Sequence, residues 1–203
     1  MTGSFGELSR RLRRHLGQQQ RFAHSIRVAR CAELLAQWHG ADTRKARLAG
    51  LLHDLARLYS PERLLAESEE RGIAIGDAER AHPMLLHAKL GAEIARERFG
   101  IDDAEVLSAI EKHTTGAAKM SLLDCIVYLA DSLEPGRSFE RRPALWQLAR
   151  NDLASAMRAV LLSAIEHNVR KGQATLPATL AAAESFGLGI AGGVPAEIRA
   201  SAS

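Results

Sequence analysis

Apolar residues return every three to four positions along nearly the whole chain, and no stretch shows the strict alternation of a half-buried strand. That period admits helices and little else. Glycine, proline and capping residues divide it into segments. A basic helix is expected over about residues 5–17 and a longer one over about 21–39, where Phe22, Ala29, Ala32, Leu35 and Ala36 form an apolar stripe ahead of Gly40. Asp42 or Thr43 can cap the next, expected over about 43–58. Ser60-Pro61 reads as a cap followed by proline at the first helical position, and Gly72 ends that segment. After a loop holding His82 and Pro83, a helix is expected from about Met84 to Phe99. Asp102 or Asp103 caps one that ends near His113, and Ser121 caps one over about 122–133 that stops at Glu134-Pro135-Gly136. Two more fill about 143–171. Aromatic residues are only 4% of the chain, which agrees, since strands favour aromatic and β-branched side chains. The expectation is one all-α domain over residues 1–173. An Ala/Gly-rich tail at 174–203 should be partly disordered, with a helix around 177–186 and the last dozen residues loosely ordered.

Of the 203 residues, 46% are apolar and 25% charged, which suits a globular core and excludes a disordered or fibrous chain. The net charge of +3 favours an anionic ligand without selecting nucleic acid. Cys31 and Cys125 stand alone in apolar segments and no CxxC occurs, so a thiolate metal site is not expected and a reducing, cytoplasmic location is. The first residues lack the apolar run of a secretory signal, and no window has the roughly 18 apolar residues of a membrane span.

Ionisable residues interrupt the apolar stripes in five segments. His24 is in phase with Val28, Cys31 and Leu35; His53 shares its side with Ala49 and Ala56, with Asp54 next to it. His87 lines up with Leu90, Gly91 and Ile94, His113 with Val106 and Ile110, and Asp131 with Val127 and Tyr128. One histidine on such a stripe is more often a hydrogen-bonded core residue than a ligand. Four imidazoles and two carboxylates together are another matter, because burying them without compensation costs several kcal/mol each. Cations supply that compensation, and imidazole with carboxylate suits iron, manganese and zinc. Adjacent helical residues diverge by about 100°, so His53 and Asp54 reach one centre only from a helix whose end faces it. Six ligands from five helices fit one ion or two, and a pair can activate water and clamp a phosphoryl oxygen.

The order H…HD…H…H…D resembles the HD-domain superfamily of metal-dependent phosphohydrolases. The phrases RFAHSIRVA, AGLLHDLA, LLHAKLGAEIARERFGI, AIEKHTTG and MSLLDCIVYLADSLEPGR are similar to its bacterial symmetrical diadenosine tetraphosphate hydrolases, over roughly residues 20–170. The resemblance implies a single HD-domain helical bundle in which His24, His53, Asp54, His87, His113 and Asp131 bind metal. Asp54 is the implied bridge and, with His53, the implied catalytic pair. It implies two divalent or mixed-valence ions, iron first, with manganese or zinc as alternatives. The implied reaction is symmetrical hydrolysis of diadenosine tetraphosphate and related dinucleoside polyphosphates to two ADP by a metal-activated hydroxide. The family's EPxR phrase falls on Glu134, Pro135 and Arg137, with Arg137 a phosphate clamp. Arg57 stands where the family commonly has lysine, so charge is kept while a point contact becomes a fork.

Other residues leave their readings open. Thr114, Thr115 and Gly116 can shape the pocket floor. His82 either approaches a substrate phosphate or sits in a surface loop. Tyr59 and Phe139 can stack on a base or pack in the core. His39 reads as a residue stabilised at a helix C-terminus, and His15 and His167 as solvated. The run SRRLRRHLGQQQR lacks interleaved aromatics and reads as a solvated face rather than a nucleic-acid surface. The competing functions are another HD-type nucleotide hydrolase (a nucleotidase or a guanosine alarmone hydrolase), a non-catalytic regulatory module, and a basic RNA-binding protein. A homodimer is compatible with the sequence.

Overall fold

The computed structural model describes residues 3–195, 197 and 198. The chain enters on α1 (Phe5–Leu16), whose cap Ser4 accepts the Glu7 backbone N–H and whose Leu8, Leu12 and Leu16 are buried. In α2 (Gln19–Trp38) His24 lies on a buried face with Val28, Ala29, Ala32, Leu35 and Ala36. Asp42 caps α3 (Thr43–Leu52) by accepting from the N–H groups of Arg44 and Lys45. Gly50 stands where α2 and α3 meet. A Cβ there would lie 3.0 Å from Ala29 Cα and 3.1 Å from its nitrogen. The missing side chain therefore lets the two helices close, and closure brings His24 within reach of His53.

Helix α3 stops at Leu52 rather than near residue 58. His53 is the reason: its Nδ1 bonds the Gly50 carbonyl at 2.8 Å, the acceptor that a continuing helix would offer to Asp54. The backbone continues through tighter turns, with Arg57 N–H donating to Asp54 O and Tyr59 N–H to Ala56 O.

Ser60 and Pro61 open α4 (Pro61–Glu70). The stretch expected as a loop around His82 instead forms α5 (Asp77–Ala81) and a 3-10 turn, Pro83–Leu85. Next come α6 (Leu86–Phe99), α7 (Ala104–Lys112), capped by Asp103, and α8 (Leu122–Leu133), with a Ser121/Asp124 capping box. Asp152 ends α9 (Arg142–Asn151) and caps α10 (Leu153–Arg170). Helices α2, α3, α7 and α8 pack on one another at the centre, with α6 against α7 and α10 against α8. Leu35, Leu51, Leu52, Ile110, Ile126 and Leu129 are fully buried there, each contributing roughly 1.5–3 kcal/mol by leaving water.

Packing continues past residue 173. Helix α11 (Pro177–Ser185) lies against α10 and buries Ala182 and Ala183 in the same core. Ala182 is so close to the turn after His113 that a Cβ on Gly116 would meet its Cβ at 2.9 Å. An antiparallel pair follows, β1 (Ile190–Ala191) and β2 (Val194–Pro195), too short to leave a periodic signature. Gly192 and Gly193 join them, both at positive φ as a two-residue hairpin turn requires. Within the segment expected to be loosely ordered, residues 196 and 199–203 lie outside the described residues. Among the described residues no helix is long and apolar enough to cross a membrane.

Candidate metal centre

Three of the four core histidines are built alike. His53 and His113 cap the C-termini of α3 and α7, and His87 sits one residue into α6. Each turns its Nδ1 onto the carbonyl three residues earlier: His53 to Gly50, His87 to Met84, His113 to Ile110 at 2.7 Å. A carbonyl can only accept, so each Nδ1 carries a proton and each Nε2 is turned inward, where loss of any proton it holds frees a lone pair for a metal. His24 reaches the same state differently, donating from Nδ1 to Glu134 Oε1 at 3.1 Å. Glu134 is held in turn by the Arg27 guanidinium and the Gly136 N–H.

The four Nε2 atoms converge on two carboxylates. His24 Nε2 lies 3.2 Å from His53 Nε2, and His87 Nε2 lies 3.3 Å from His113 Nε2. Asp54 divides its oxygens between the pairs. Oδ2 is 3.6 Å from His24 and 3.3 Å from His53, while Oδ1 is 3.6 Å from His87 and 3.7 Å from His113. Asp131, in the last turn of α8, adds Oδ1 at 3.1 Å from His24 and 3.8 Å from His53. All four histidines and Asp54 are buried.

Charge within this cluster is tightly balanced. Burial alone would raise the pKa of Asp54 and Asp131, yet the facing imidazoles outweigh it and hold both well below the usual carboxylate range. Burial pulls His53 down, but Asp54 and Asp131 lift it to about 9. Burial and the charge of His113 lower His87 to about 4, so it is neutral, as a ligand must be, at physiological pH. Burial would raise Glu134, and Arg27 instead brings it down to about 2.

This donor set fits divalent cations. Imidazole Nε2 atoms and carboxylate oxygens without thiolate suit iron, manganese or zinc. The ligand atoms of His24, His53 and Asp131 lie within 4.8 Å of one another, as do those of His53, Asp54 and His113. Lone pairs little more than 3 Å apart repel unless a cation or a proton stands between them. A pocket of about 320 Å³ opens over the cluster, bordered by Arg21, Arg57, Thr114, Tyr128, Ser132 and Arg137.

The six core residues singled out in the sequence therefore meet at one place. Arg57 and Arg137 line the pocket, with Arg137 engaged by Asp131 through its side chain and carbonyl. Thr114 places Oγ1 3.1 Å from His87 Nε2 and 3.0 Å from His113 Nε2. Thr115 is turned away: its hydroxyl bonds Gly116 O, and it lines a separate cleft of about 380 Å³ beside α11. His82 is exposed at the end of α5 and does not border the pocket. His15 is not solvated, since its ring bonds Leu55 O at 2.8 Å and packs on Phe99. Two residues of the site have no role assigned from the sequence: Arg21, and Glu134, which enters there only as part of the EPxR phrase. Arg21 bonds Asp54 Oδ2 at 2.8 Å, and Glu134 orients His24. Their signal was spacing, Arg21 three residues before His24 and Glu134 three after Asp131.

The HD domain family model matches residues 21–136. Over 163 residues the chain is 38% identical to a protein named "Bis(5'-nucleosyl)-tetraphosphatase, symmetrical" from Halalkalibacterium halodurans, covering 80% of this chain and 87% of that one. A Bacillus subtilis protein of the same name is 32% identical, with 79% and 86% covered. The crystal structure of a predicted HD superfamily hydrolase involved in NAD metabolism from Clostridium acetobutylicum superposes with a TM-score of 0.87 at 36% identity, covering 92% of this chain and 98% of that one. With its histidines and aspartates gathered in the matched region, the chain belongs to the HD-domain family, in the group of symmetrical bis(5'-nucleosyl)-tetraphosphatases.

Proposed function

We propose that the protein is a metal-dependent phosphohydrolase that cleaves diadenosine tetraphosphate, and related dinucleoside polyphosphates, symmetrically into two nucleoside diphosphates. The observation that carries this reading is Asp54, with one oxygen toward each histidine pair. One ion would be held by His24, His53, Asp131 and Asp54 Oδ2, the other by His87, His113 and Asp54 Oδ1. Iron is the metal proposed, with manganese or zinc as alternatives. When bound, such a pair supplies Lewis acidity that lowers the pKa of water and polarises phosphoryl oxygens.

The protein's own side chains do the rest. Glu134, braced by Arg27, fixes the His24 ring with Nε2 inward. The three backbone carbonyls do the same for His53, His87 and His113. Arg57 and Arg137 bring cationic forks to the pocket wall, where phosphate oxygens can be held in line. Arg21 steadies the bridging carboxylate. A nucleoside diphosphate leaves as a stable anion, so no strong general acid is required of the chain. The buried free thiols of Cys31 and Cys125 support a reducing cytoplasmic setting.

Chromatography of the products tests the proposal. Metal-loaded protein should convert diadenosine tetraphosphate into ADP alone. AMP with ATP, released phosphate, or no turnover would overturn it.

A further inference from the structure

The pocket over the metal cluster is about 320 Å³ and does not end at its own rim. Asp131, Ser132, Arg137 and Ala164 also line a second, wider cleft of about 650 Å³ that runs outward between α10 and the loop following α8. The cleft beside α11 shares no lining residue with the metal pocket, so it offers no such continuation. The opening on the other side, past Gln18, Gln20 and Glu134, is only about 180 Å³, and the one ring on its wall is that of His24, a member of the metal cluster.

The wide cleft has what one nucleoside half of a substrate needs. Phe139 is 43% exposed and lines the cleft, so its ring is accessible to a ligand there. Arg141 and Arg170 add positive charge, with Glu140 and Glu166 among them to limit it. Arg137 stands on the boundary with the metal pocket, at the point where a polyphosphate would pass from one to the other. An aromatic face accepts any base by stacking, whereas the arginine forks track phosphate.

Resting on the reading of the site as a dinucleoside tetraphosphate hydrolase, we propose that this cleft is the subsite for one nucleoside of the substrate, with the Phe139 ring as its base-stacking platform. The subsite governs affinity for the dinucleotide and leaves the reacting phosphates to the metal pocket.

Steady-state kinetics on metal-loaded wild type and the variants F139A, F139L and F139W test this with diadenosine tetraphosphate. Metal content of each variant serves as a control, because Phe139 is exposed and takes no part in the hydrogen bonds and ion pairs of the six cluster residues. F139A and F139L should raise KM about tenfold, the equivalent of about 1.4 kcal/mol of lost stacking, with kcat within about twofold; F139W should restore the wild-type KM. An unchanged KM in F139A overturns the proposal. So does rescue by leucine as good as by tryptophan, which would mean apolar packing only. If wild type itself fails to cleave the substrate, the proposed function falls instead, and the two failures are told apart by the wild-type measurement alone.

Discussion

His87 and His113 meet Nε2 to Nε2 at 3.3 Å, because each turns its Nδ1–H onto a backbone carbonyl behind it. Thr114 can donate to one of them and not to both. The same relation holds between His24 and His53, with a carboxylate in place of one carbonyl. Hydrogen bonds at Nδ1 thus aim four Nε2 atoms inward before any ligand arrives, which is the preorganisation a metal site requires.

Glu134 is the member of this outer layer most accessible to mutation. E134A should free the His24 ring to rotate and leave Arg27 without its partner. Metal affinity is expected to fall about 10- to 100-fold, while E134Q, which keeps an oxygen for His24, should lose less. Competition with a chelator measures both. Equal affinity in E134A and wild type would show that the carboxylate does not position His24.

Gly50 makes an opposite-sign test of helix propensity. Alanine in an open helix is more stable than glycine by roughly 1 kcal/mol. Here its Cβ would press on the Ala29 backbone at 3.0 Å. G50A is therefore expected to be destabilised by about 1–3 kcal/mol, as overpacking usually costs. Thermal unfolding should show a Tm lowered by several degrees, and a raised Tm would contradict the close approach of α2 and α3.

Much of this arrangement was legible in the sequence, and its gaps have physical causes. His24, His87, His113 and Asp131 were visible because a polar residue on an apolar stripe stands out at helical period. The end of α3 was not, because what stops it is the His53 side chain capturing a carbonyl, and a periodic pattern carries no trace of that. Arg21 sits on a half-buried, mixed surface where an arginine is unremarkable, so its bond to Asp54 emerges only in three dimensions. Helix α11 falls where a helix was expected, around 177–186, but its docking into the core was not legible, since alanines that seal a core look the same as alanines in a linker.

Acid should reveal the role of Asp103. It caps α7 through the N–H groups of Glu105 and Val106, and Lys45 beside it lowers its pKa against the opposing effect of burial. A carboxyl whose folded pKa is depressed adds stability that is complete above its unfolded value of about 3.9 and is lost as pH falls through the folded value. D103A should cost about 1 kcal/mol at neutral pH from the lost cap, since the partly exposed ion pair adds little. Denaturant titrations at a series of pH values should show that deficit shrinking below about pH 4. A deficit independent of pH would mean the carboxylate charge is irrelevant.

Anomalous scattering from crystals grown without oxygen would locate any cations unambiguously. Two ions per chain are expected, one among His24, His53 and Asp131, the other between His87 and His113, with Asp54 bound to both. A single ion, or two that do not share Asp54, would contradict the bridging role on which the proposed chemistry rests.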